Sequence, residues 1–158
     1  MLILNFILSF LLIINYHLAL VYIGVEKRIK DTLVPSLLLA IIAFTSKIIF
    51  IAPPVIHTIV LVLSCTLILY FINKVDFLLG IIGSLLSFMT LTFGSLLVAC
   101  PLVVYLGFNI PEQNEISGNQ WTILTIMEFF IPALVLIILK SKKLSFVKLI
   151  KINDTGSV

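Results

Sequence analysis

Lys47, His57 and Glu128 are ionisable residues that stand inside apolar stretches of this 158-residue sequence. A charge at the centre of a membrane helix costs about 2.5–3.5 kcal/mol on insertion scales, so each such group calls for a partner or a task. Lys47 and Glu128 lie about five and seven residues from the ends of their stretches, or roughly 8 and 10 Å deep at ~1.5 Å per residue. The depths match and the signs are opposite, so each can reduce the other's desolvation cost if their helices are neighbours. With His57 at similar depth, the three make a candidate ligand-binding pocket. The plainer readings are a Lys47 stem that snorkels to the headgroups, a solvated or carbonyl-paired His57, and a protonated Glu128 bonded within the bundle.

Pro132 follows Glu128 by four residues. A proline lacks an N–H, and its ring crowds the carbonyl four residues earlier, here that of Glu128. A kink and an ionisable side chain therefore coincide, which suits a hinge and also occurs as passive packing. Catalysis needs a nucleophile with a base, or a metal cluster. His57 and Cys65 are separated by about 80° and some 12 Å on a straight helix, so they cannot meet. No phosphate-loop or zinc motif is present, and neither enzyme activity, cofactor nor metal is expected. Cys65 and Cys100 have no CxxC spacing and read as buried apolar thiols.

The elements that hold these residues follow from composition. Mean hydropathy is +1.30, with 61% hydrophobic and 11% charged residues, whereas a soluble domain carries roughly a quarter charged residues. The expected fold is all-α, a polytopic transmembrane bundle of about five spans over residues 1–140, with a basic cytoplasmic tail at 141–158. The spans are placed at about 2–24, 32–52, 54–72, 77–100 and 121–139. The first is read as a retained span because it lacks the basic head and cleavage site of a signal peptide. Thr32 is a possible N-cap of the second. Pro101 is expected to break the fourth, and residues 109–120 form an acidic outer loop.

Lys27, Arg28 and Lys30, then Lys74, then Lys140 and the lysines after it mark the breaks on one side. Cationic loops stay in the cytoplasm, which predicts the amino terminus outside and the carboxyl terminus inside a multi-pass cell-membrane protein. The net charge of +3 thus reports orientation rather than nucleic-acid binding. The lipid bilayer is the expected partner, with another membrane protein or a second copy as further candidates.

Gly80, Gly83, Ser84, Ser87, Thr90 and Gly94 recur at three- and four-residue steps. Such a small-residue face allows close helix approach in lipid and nominates this span as the central helix. Asn15 and His17 read as interhelical hydrogen-bonding groups, and Asn5 as a further polar residue near the pocket. Phe146, Val147 and Ile150 suggest a short basic amphipathic helix on the inner leaflet.

The stretches IINYHLALVYIGVEKRIKDTLVPSLLLAIIAF and IAPPVIHTIV, with the acidic loop before the last span, resemble the membrane-sensor portion of Firmicutes histidine kinases of the GHKL, peptide-sensing type. The likeness covers roughly residues 1–150 and rests on topology and texture. These residues contain neither the dimerising helix with its phospho-accepting His nor the ATP-binding domain of such kinases. The resemblance therefore implies sensing or modulation without phosphotransfer. The alternative is a small subunit of a membrane transporter or assembly.

Overall fold

In a computed structural model, residues 10–49, 54–105 and 118–145 are described, and every regular element among them is helical. The helices are α1 (Leu12–Tyr22), α2 (Ile29–Ile49), α3 (Pro54–Asn73), α4 (Phe77–Gly94), α5 (Cys100–Tyr105), α6 (Gly118–Glu128) and α7 (Phe130–Ser141). A π-helical segment, Ser95–Ala99, joins α4 to α5. Three helical stretches are long and apolar enough to cross a membrane: Ile56–Asn73, Phe77–Tyr105 and Thr122–Ser141. At ~1.5 Å per residue the first already approaches the roughly 30 Å of a hydrocarbon core.

These helices turn apolar faces outward. On α3, Ile56, Ile59, Leu63, Leu67 and Tyr70 are exposed at helical spacing, and on α4 Leu85, Met89 and Phe93 follow the same pattern. Water would penalise such contiguous surface, whereas lipid tails would not. The opposite face of α4 is buried at all six expected small residues, Gly80, Gly83, Ser84, Ser87, Thr90 and Gly94. The periodicity thus marked the inner side of this helix correctly.

Helix α4 touches the most neighbours, α1, α3, α6, α7 and the π segment, as expected of a central helix, while α1 has the larger buried share among the described residues. Residues Asn15 to Leu20 are buried without interruption, because α1 is packed among α2, α4 and α7 at once. Its 11 residues extend only about 16 Å, roughly half a hydrocarbon core. The earlier part of the expected 2–24 span lies outside the described residues, as do Asn5, the acidic loop up to residue 117 and the tail from residue 146.

The helix ends show why the chain breaks where it does. After α1, Gly24 takes φ 77°, with Gly24 N–H bonded to the Val21 carbonyl and Val25 N–H to that of Leu20. This paired arrangement satisfies the last carbonyls and stops the helix. Lys143, at φ 49°, repeats it after α7, where its N–H reaches the Lys140 carbonyl and Leu144 N–H that of Leu139. Asp76 caps α4 by accepting from Leu78 N–H at 2.9 Å and Leu79 N–H at 3.3 Å.

Two local expectations are corrected. Helix α2 begins at Ile29, so Thr32 lies within it rather than at its N-cap. Pro35 is the seventh residue of α2 and lies inside the helix, and Ser36 beside it donates to the Thr32 carbonyl. Pro101 does not end its helix, for helical structure continues through Tyr105. The π segment precedes it, and Cys100 N–H bonds to the Ser95 carbonyl five residues back. A wider turn re-routes the ladder ahead of a residue that lacks a donor.

Candidate functional site

Glu128 sits at the last position of α6, and Phe129 separates it from α7. Pro132 provides no N–H for the Glu128 carbonyl, and Phe129 N–H bonds to Ile126 in a tighter turn. The kink expected from the proline therefore appears as a break between two helices. Its inner side rests on Gly94, where a Cβ would collide with the Glu128 carbonyl oxygen and stand 3.2 Å from Pro132 Cδ. Only glycine admits a backbone at this distance.

The side chain of Glu128 completes the contact. Ser95 Oγ donates to Glu128 Oε1 at 3.1 Å. Ser95 is the first residue of the π segment, so two irregular stretches of backbone face each other across one side-chain bond. Such π segments are rare and frequently lie at functional sites. The half-buried carboxyl thus stands between two interrupted ladders. The small-residue periodicity pointed to Gly94, but nothing in the sequence pointed to the π segment or to Ser95 as the partner.

His57 has a different neighbour. Its Nδ1 lies 2.8 Å from Ser46 Oγ, whose hydroxyl also donates to the Ala43 carbonyl at 3.0 Å. With the Ser46 proton given to Ala43, Nδ1 of His57 is the donor. This bond joins α2 to α3 at the residue just before Lys47. Lys47 lies in α2, and its side chain is outside the described residues. Helix α2 packs chiefly on α1 and α3, whereas α6 packs on the π segment, α4 and α7. Among the described residues, His57 meets Ser46 and Glu128 meets Ser95, and the expected grouping of these two with Lys47 lies outside what is described.

Other polar residues act as interhelical ties. Tyr22 and Thr90 hydroxyls are 2.8 Å apart, Thr66 donates to Ser84 at 3.2 Å, and the Asn73 amide donates to the Tyr16 hydroxyl. His17 reaches Thr32 through Nδ1 at 3.4 Å, as expected of an interhelical group. Asn15 does not match its expectation: it is wholly buried, and neither amide atom has a partner. Cys65 is buried as expected, but Cys100 is exposed. Its position beside the π segment turns the thiol away from the bundle. Among the described residues, no group of three His, Cys, Asp or Glu side chains gathers to hold a metal.

No family model, curated protein or solved structure matches this chain.

Proposed function

We propose that this chain is a multi-pass protein of the cell membrane with a sensor-like or regulatory role. Four crossings are assigned to α2, α3, α4 with its π segment and α5, and α6 with α7. A fifth, as expected from the sequence, requires residues before α1. The basic ends after α3 and α7 face the cytoplasm, placing the carboxyl terminus inside. The proposed likeness to the sensor portion of peptide-sensing histidine kinases gives the role its class.

One observation carries the regulatory reading: Glu128 bonds to the π segment exactly where Pro132 breaks its own helix. Two helices with interrupted ladders share a polar contact that a ligand or a protonation event can exchange. Spin labels at the exposed positions Leu97 and Ile126 report the distance across it in nanodiscs. Glu128→Gln is expected to change the distance distribution and the response to any stimulus that the protein senses. An unchanged distribution, with glutamine as with glutamate, refutes the hinge. The transport alternative predicts solute movement in reconstituted vesicles, and a sensor moves none. Cysteine labelling of Asn114→Cys from outside and Lys142→Cys from inside tests the orientation separately.

A further inference from the structure

A second feature lies at the end of α7 away from Glu128. A cleft of about 270 Å³ opens between the break after α1 and the end of α7, lined by His17, Glu26 and Lys27 on one side and Lys140, Lys143 and Ser145 on the other. Its walls meet closely, since a Cβ on Gly24 would stand 3.0 Å from Ser145 Oγ. Three lysines against one glutamate give the lining an excess of positive charge. The volume far exceeds the roughly 30 Å³ share of one liquid water.

The imidazole of His17 makes this more than a charged rim. His17 is only 3% exposed, its Nδ1 is engaged with Thr32, and its Nε2 has no hydrogen-bond partner. A buried polar atom left unanswered destabilises the fold unless something in the cleft answers it. An anion would do so, because it favours the histidine form that carries a proton on Nε2. Thr32 can serve Nδ1 either as donor or as acceptor, so it permits that form.

We propose that this cleft binds a phosphate-bearing anion, with His17 Nε2–H and the ammonium groups of Lys27, Lys140 and Lys143 taking its oxygens. Glu26 stands at the same cleft and discriminates against ligands carrying a second anionic group on its side. The phosphate is either that of a phospholipid headgroup in the adjoining leaflet or free in solution. The binding site is separate from the Glu128 contact and stands whether or not that contact moves.

The full chain in nanodiscs, with its histidine imidazole nitrogens labelled, yields signals from only two histidines. One series uses phosphatidylcholine discs titrated with inorganic phosphate, and the other replaces part of the phosphatidylcholine with phosphatidylglycerol. The His17 nitrogen signals are expected to move in at least one series while those of His57 stay. Movement with inorganic phosphate assigns a free phosphate, and movement only with phosphatidylglycerol assigns a headgroup. Lys140→Gln and Lys143→Gln, at exposed positions, should each weaken binding about fivefold, the effect of one lysine near an anionic surface. Indifference of the His17 signals to both anions overturns the site. So does an anion response that survives both lysine substitutions unchanged.

Discussion

Gly83 and Gly94 lie on the same face of α4, and each admits a carbonyl from a neighbouring helix. At Gly83 a Cβ would stand 2.9 Å from the Ala19 carbonyl oxygen and 2.7 Å from Ile23 Cγ2. That carbonyl belongs to an intact helix end and accepts from Ile23 N–H at 3.3 Å. At Gly94 the carbonyl is that of Glu128, which Pro132 deprives of its donor. One contact is packing alone, and the other is packing joined to a released backbone group. A single small-residue face thus serves one seam against an intact helix and one against a broken helix. What differs is the partner helix, not the glycine.

The largest effect is expected from Gly94→Ala. The added methyl group meets backbone that cannot rotate away, so α6 must shift, at a cost of about 3 kcal/mol, the upper end for overpacking. Thermal unfolding in detergent measures it; near-wild-type stability would mean that α6 does not lean on Gly94. Gly83→Ala should cost less, about 1–2 kcal/mol, since the Ile23 methyl group can yield by changing rotamer and the Ala19 carbonyl, at 2.9 Å, needs to shift far less than that of Glu128. A larger loss there than at Gly94 would reverse the comparison.

Pro132→Ala returns an N–H to the Glu128 carbonyl, and it sharpens the contrast in geometry more than in stability. The Leu97-to-Ile126 label distance is expected to change as α6 and α7 become continuous, with the Ser95 bond weakened. Persistence of the wild-type distance would show that Gly94 packing, not the proline, sets the break. Two substitutions should have small effects on stability. Tyr22→Phe removes the bond to Thr90 at the seam against the intact helix, worth about 0.6 kcal/mol for a typical interhelical bond in lipid. Glu128→Gln keeps an acceptor oxygen for Ser95 and should change stability by less still, while altering the hinge distance. Equal effects of these two on the hinge distance would erase the distinction between the seams.

Some of this was legible in the residue order. The apolar stretches near 54–72 and 77–100 became α3 and the α4 assembly, and the period of Gly80 to Gly94 named the buried face of α4. Pro132 announced the break after Glu128. Other features left no local trace. The pairing of Glu128 with Ser95 depends on which helices are neighbours, and no spacing in the sequence records it. The π segment has an ordinary apolar sequence, SLLVA, and its irregular ladder is visible only in the fold. His17 looked like any interhelical histidine until residues 139–145 were brought against it.

By itself, the sequence determined which stretches avoid water, which face of α4 is small enough for contact, and where a backbone donor is missing. Those properties are local: each depends on side-chain size, polarity or the proline ring within a turn or two. Tertiary structure alone decided that α1 has a larger buried share than α4, that Ser95 answers Glu128, and that His17 joins three lysines at one cleft. Such choices depend on distances between residues far apart in the chain, and packing sets those distances by summing many weak contacts that no short stretch records.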